Sequence, residues 1–306
     1  MTNPDTPLEG QVIGFIGVGK MGEAMVRRLM AAGADAVVFD TDAAACRRLE
    51  AAGARAAPSA RAVADEAAQV FACLPTPAAS LAIATGSEGV MGGRRIRVLV
   101  ECSTIGRAHI RTIADSLAEV GIALVDAPVS GGPAGAQAGT LATVVSGPEE
   151  AKRSVRAALS CWASAIVDAG PRAGASQVYK LVNQALTFAN MVLAAEALAA
   201  GVKAGAEPRA LLDFINASTG RSWATTEKFP RSVLTGQTGN GSLGIVMKDM
   251  QLYLDMCRET GTPSMLGAPA FAAIQMAEKL FAPSADLGSV ATLFERLAET
   301  RFAPEG

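Results

Sequence analysis

Gly17, Gly19 and Gly22 stand at Gly-x-Gly-x-x-Gly spacing within Gly17-Val18-Gly19-Lys20-Met21-Gly22. Between a strand and a helix, such a loop turns tightly, admits a pyrophosphate close to the backbone and packs helix on strand. The helix N-terminus then offers free N–H groups to the phosphates. Among 31 glycines this spacing arises easily by chance, so its weight comes from following the apolar run Val12–Ile16 and opening a helical one. Asp40 ends the next apolar run, roughly 20 residues after the loop, where a carboxylate can accept from a ribose 2′-hydroxyl and repel a 2′-phosphate. Thr41 follows it, not an arginine. NAD is therefore the favoured cofactor, with Arg47 and Arg48 keeping NADP open. A strand-end turn is the other reading of Asp40.

A second constellation lies further on. Ser130-Gly131-Gly132 follows the apolar run Ile122–Val125, and its hydroxyl and backbone N–H groups could converge on a small carboxylate substrate; a plain Gly-Pro turn is the alternative. Gln177, Lys180, Asn183, Gln184 and Thr187 recur at helical spacing and form one polar stripe on an apolar helix. Polar groups in such a place are costly unless paired or wetted by a ligand. Lys180 has no acid three or four residues away, and a desolvated lysine can pass a proton near neutral pH. Asn183 and Gln184 would then orient the reacting hydroxyl and the lysine. The competing reading is a helix–helix hydrogen-bond seam with Lys180 reaching outward. His109 is the only histidine, so a multi-histidine metal site is excluded and no metal is expected.

These residues need a scaffold, and the pattern supplies one. Short apolar runs at Val12–Ile16, Ala36–Phe39, Gln69–Leu74, Arg97–Glu101 and Ile122–Val125 alternate with helical runs such as Met21–Ala32, Asp42–Ala52, Ser59–Ala67 and Ala108–Val120. That alternation predicts an α/β fold with a doubly wound parallel sheet. Leu141–Ser146 and Ala165–Val167 are expected to extend the same sheet. After Gly170 the texture becomes helical: Ala175–Ala200, Pro208–Ala217, Leu243–Thr260, Pro269–Leu280 and Ser289–Thr300. The expected division is a dinucleotide-binding domain over 1–170 and an all-α substrate and dimerisation domain over 171–306.

Composition narrows the classes. The 27 basic and 29 acidic residues are mixed along the chain, so no basic stripe is present to grip a nucleic acid. The five cysteines are scattered, which points to a reduced, cytoplasmic compartment. The amino-terminal residues do not read as a signal peptide. The longest uncharged stretches, broken by Pro, Gly, Ser and Thr, lack the ~20 apolar residues of a membrane span.

In combination these motifs resemble the β-hydroxyacid dehydrogenase family, which includes 3-hydroxyisobutyrate, tartronate semialdehyde and L-threonate dehydrogenases. The resemblance runs through Gly17–Gly22, Leu74-Pro75, Ser103-Thr104, Asp126–Gly132, Gly174 to Lys180-Leu-Val-Asn183-Gln184, Gly220–Trp223 and Lys248-Asp249. It implies a Rossmann-type domain followed by a helical one, NAD(P)-dependent hydride transfer and Lys180 as the catalytic lysine. It also implies that Ser130, Gly131 and Gly132 bind the substrate carboxylate, and that Leu74, Pro75, Thr104 and Lys248 line the cofactor site. Many members have asparagine where this chain has Gln184, and glutamine suits the L-threonate-like branch. The helical domain is apolar enough around Met191, Val192 and Leu193 to imply a homodimer or homotetramer. A cofactor-binding module without catalysis, or an imine or semialdehyde reductase of the same fold, is the alternative function.

Overall fold

The computed structural model describes residues 7–236 and 241–303. Each of the first five parallel strands is followed by a helix: β1 (Val12–Ile16) by α1 (Lys20–Ala31), β2 (Asp35–Phe39) by α2 (Ala43–Glu50), and β3 (Arg55–Ala56) by α3 (Ala60–Glu66). The series continues with β4 (Gln69–Ala72), α4 (Pro77–Thr85), β5 (Val98–Glu101), α5 (Arg107–Glu119) and β6 (Ala123–Asp126). The strands form one six-stranded parallel sheet in the order β3-β2-β1-β4-β5-β6. Side chains just outside the helices set where they begin. Asp42 accepts from the Ala44 N–H, Ser59 from Ala62 and Thr76 from Ala79, each satisfying a first-turn donor that has no helical partner.

The next segment departs from expectation. After β6 come β7 (Val129–Ser130), α6 (Gly132–Ala138), β8 (Leu141–Val145), α7 (Glu149–Ser160) and β9 (Ala163–Asp168). β8 and β9 do not extend the large sheet. They form a separate three-stranded sheet in the order β7-β8-β9, antiparallel across the first pair and parallel across the second. Just past β6, Pro128 has no N–H to continue a ladder. Among the described residues one antiparallel bridge, Asp126 with Ser146, links the sheets, through two backbone bonds of 2.9 Å. Trp162 seals this region edge-on against Phe71 and Phe15, with ring centroids 5.3 and 6.4 Å away.

Beyond β9 no strand follows among the described residues. The helices are α8 (Ala175–Lys203), α9 (Pro208–Ala217), α10 (Leu243–Thr260), α11 (Gly267–Phe281) and α12 (Ser289–Ala298). A π-helix over Ala224–Val233 contains Pro230. Its Lys228 pairs with Asp286 at 2.6 Å in the interior. The chain divides into two compact units, Met1–Lys180 and Leu181–Gly306. By length and composition α8 could cross a membrane, a property hidden in the sequence because Lys180 and Glu196 interrupt its uncharged runs. Its Phe188, Met191, Ala195 and Leu198 belong to the core of the helical unit.

Candidate active site

In the first unit the residues expected at a cofactor gather where parallel strands end. The loop after β1 gives its glycines three different tasks. Gly17 has φ +85°, and a Cβ there would lie 2.4 Å from the Cys73 carbonyl oxygen. At Gly22 a Cβ would lie 2.0 Å from the Gly17 carbonyl oxygen, so helix and loop can approach only without one. Gly19 faces open space within 4 Å and begins α1 without a side-chain cap. The cradle thus fits a pyrophosphate, with first-turn N–H groups available to it. Val18 is buried, Met21 packs against the core, and Lys20 is exposed.

Asp40 lies just past β2. Its Oδ2 accepts from the Val18 N–H at 2.7 Å and its Oδ1 from Asp42 at 2.8 Å. Those bonds fix the carboxylate beside the glycine loop, and each oxygen keeps accepting capacity for a ribose hydroxyl. Arg48 bonds Glu23 at 3.0 Å, an exposed pairing, and Arg47 is also exposed. After β4, the Leu74 N–H donates to Ser103 Oγ at 2.7 Å, joining the Leu74-Pro75 turn to the Ser103-Thr104 turn after β5. β1 and β4 are neighbours where the strand order reverses, the place where doubly wound sheets bind ligands.

The end of β6 leads toward the Ser130-Gly131-Gly132 turn. Ser130 closes β7, and Gly131 and Gly132 take left-handed φ values of +129° and +67° at the start of α6. Beneath this turn lies a polar network. Asp126 Oδ1 accepts from Gln177 Nε2 at 2.7 Å, and Oδ2 accepts from Ser146 Oγ at 3.4 Å. Asp126 is fully buried, and desolvation pushes its carboxyl up to about 7, with the adjacent Glu101 carboxyl adding to the rise. Glu101 is Asp126's register partner on β5 and accepts from the Ser103 N–H at 2.9 Å. Lys180 lies one turn beyond Gln177 on α8 and is only 8% exposed. His109 is exposed on α5.

The second unit holds Asn183, Gln184 and Lys248 around one acid. Gln184 Nε2 donates to Asp249 Oδ2 at 2.7 Å, Lys248 Nζ reaches Asp249 Oδ1 at 2.7 Å, and Asn183 Nδ2 donates to Gln184 Oε1 at 3.3 Å. Asp249 is 2% exposed. The longer side chain of Gln184 thus reaches a buried carboxylate within its own unit. Asp249, Gln177, Glu101 and Asp126 were not among the expected site residues, although all but Glu101 lie in motifs or on the stripe already noted. The groups bonded are 51 to 74 positions away for Gln177 and 65 for Gln184, which no local pattern reports.

Comparison with known proteins identifies the family. The family described as the NAD binding domain of 6-phosphogluconate dehydrogenase matches residues 12–170. A second, described as the NAD-binding domain of NADP-dependent 3-hydroxyisobutyrate dehydrogenase, matches 174–294. The chain belongs to the β-hydroxyacid dehydrogenase family. It is an NAD(P)-dependent oxidoreductase of that type. The 3-hydroxyisobutyrate dehydrogenase of Pseudomonas aeruginosa is 35% identical over 84% of this chain and 89% of its own. The 2-(hydroxymethyl)glutarate dehydrogenase of Eubacterium barkeri is 32% identical over 93% and 95%. A Salmonella typhimurium crystal structure described as 3-hydroxyisobutyrate dehydrogenase superposes with TM-score 0.83 at 27% identity, over 92% of this chain and 99% of its own. An imine reductase of Streptomyces aurantiacus, at 21% identity and TM-score 0.61 over 92% of this chain and 99% of its own, shares the fold alone, so the imine reductase alternative is the weaker fit.

Proposed function

We propose that this dehydrogenase oxidises a small β-hydroxy acid of the 3-hydroxyisobutyrate, threonate or glycerate type with NAD, and that Lys180 moves the proton. The observation that carries this reading is the buried Lys180, one turn past a glutamine bonded to both the Ser103-Thr104 turn and the strand end before Ser130. Gly17–Gly22, Leu74, Pro75, Thr104 and Lys248 would hold the dinucleotide, whose nicotinamide would supply the hydride acceptor for the carbinol carbon. Ser130, Gly131 and Gly132 hold the substrate carboxylate. Neutral Lys180 takes the hydroxyl proton in oxidation, and its ammonium returns that proton in reduction. Asn183 and Gln184 orient the hydroxyl and the lysine. Asp40 accepts from the ribose hydroxyls and disfavours a 2′-phosphate, which selects NAD over NADP.

The functional division is a NAD-binding domain over 1–170 and a helical substrate and dimerisation domain over 171–306, working as a cytoplasmic homodimer or homotetramer. The apolar surface of α8 supports self-association. Val182, Leu186 and Leu193 are 43%, 61% and 62% exposed and recur at helical spacing. Met191 and Val192 are buried in their own unit, so of the three residues first expected to meet a partner only Leu193 is available. The five cysteines are free, in keeping with a reducing compartment.

The test is reduced-cofactor formation from threonate, glycerate, 3-hydroxyisobutyrate, 3-hydroxypropionate and serine with each cofactor. Turnover of at least one acid, more efficiently with NAD than with NADP, is expected. Cofactor binding with no turnover of any of them would favour a binding module. Equal or better use of NADP would overturn the role of Asp40.

A further inference from the structure

Gln177 is more deeply buried than any other residue of the polar stripe, being 0% exposed. A primary amide has two N–H donors and an oxygen with two lone pairs. All four are used. Nε2 donates to the Ser103 carbonyl oxygen at 3.1 Å and to Asp126 Oδ1 at 2.7 Å, while Oε1 accepts from the N–H groups of Ile105 and Gly106 at 3.0 and 2.9 Å. Its neighbour Ser176 adds to the same junction, donating its hydroxyl to the Asp126 carbonyl oxygen at 3.0 Å and its N–H to Ser146 Oγ at 3.2 Å.

The three segments held by this one amide each carry a different functional group. Ser103 to Gly106 includes Thr104 and, through Ser103 Oγ, fixes the Leu74 turn. Asp126 ends β6 and starts the run into Ser130–Gly132. Gln177 itself sits one turn before Lys180. We infer that Gln177 is a positioning residue: its amide sets the cofactor turn, the approach to the carboxylate turn and the start of the lysine helix in one register. An apolar side chain of the same size would leave two buried N–H groups and two acceptors without their partner, and such losses are expensive in a dry site. A shift of about 1 Å among groups like these can cost on the order of a hundredfold in rate. The inference rests on Lys180 being the proton carrier.

Two variants test it, in the full-length chain. Gln177→Met keeps the volume and removes all four bonds. For this variant kcat should fall about 10–100-fold, and reduced cofactor, followed by its fluorescence, should bind more weakly, while circular dichroism shows a folded chain. Folded Gln177→Met with kcat and cofactor affinity both within about twofold of wild type would overturn the inference. So would a loss that only follows the fraction of unfolded protein.

Gln177→Glu keeps the acceptors but gives up both donors, and it faces Asp126 from β6, Glu101 from β5 and Lys180 on its own helix. A shared proton can replace the missing donor toward Asp126, so its kcat relative to wild type should climb about tenfold as pH falls from about 8.5 to 6. A flat ratio over that range would contradict the inference, even if Gln177→Met fails to fold. If another group proved to carry the proton, the cofactor-affinity readout would still report the 103–106 turn, so the two failures remain distinguishable.

Discussion

Helix α8 places two glutamines against two buried aspartates, one in each unit. Gln177 Nε2 donates to Asp126 and Gln184 Nε2 donates to Asp249, both at 2.7 Å. What surrounds the acids differs. Asp249 has the Lys248 ammonium at 2.7 Å. Asp126 has a second carboxyl, Glu101, as its neighbour across the ladder, and its own carboxyl is pushed up to about 7. The same amide–carboxylate bond therefore belongs to an ion-paired cluster in the helical unit and to a proton-holding cluster in the sheet unit. Burial alone does not decide the charge of an acid; the presence of a nearby cation does.

Asp126→Asn tests the sheet side and carries the larger expected effect on stability. Asparagine preserves the acceptor for Gln177 and can donate to Ser146. Because the folded-state value of Asp126 lies above its ordinary 3.8, the native chain binds more protons than the unfolded chain between about pH 4 and 7. The contribution of Asp126 to stability is complete below about pH 4 and declines as pH rises to about 7. Urea unfolding should therefore show the variant gaining on wild type by about 2–4 kcal/mol across that window, with no further change above it. A stability difference independent of pH would mean that Asp126 stays ionised.

Asp249→Ala tests the helical side. It removes the acceptor of Gln184 Nε2 and the carboxylate beside Lys248, but the Lys248 side chain is 19% exposed and can still reach water. A loss of about 1–3 kcal/mol is expected in urea unfolding, together with weaker cofactor binding by way of Lys248. Wild-type stability and cofactor affinity would show that Asp249 organises nothing.

The two clusters also mark where sequence reading stops. The large parallel sheet was legible because each strand is a short apolar run and each helix a longer periodic one, and Gly17–Gly22 announces its own geometry. β8 and β9 were recognisable as strands, yet their periodicity could not say which sheet they join. Lys180 stood out through its isolation on an apolar helix. Gln177 belonged to the same stripe, but its role depends on Ser103, Ile105 and Gly106 in the loop after β5 and on Asp126 at the end of β6. Likewise Gln184 reads as a substrate-orienting amide, but the bond of its Nε2 to Asp249, 65 positions away, is invisible in the pattern. Polar networks between distant segments are properties of the fold, and a single sequence does not display them.

The central claim is that the buried lysine carries the proton. Its direct measurement is kcat for Lys180→Ala beside the affinity of the same variant for NAD. A fall of about 10²–10⁴-fold in kcat with NAD affinity nearly unchanged is predicted, and Lys180→Arg should recover little, since a guanidinium does not release its proton near neutral pH. Near-wild-type kcat in Lys180→Ala across about pH 7–10 would contradict the account and place the proton on another group.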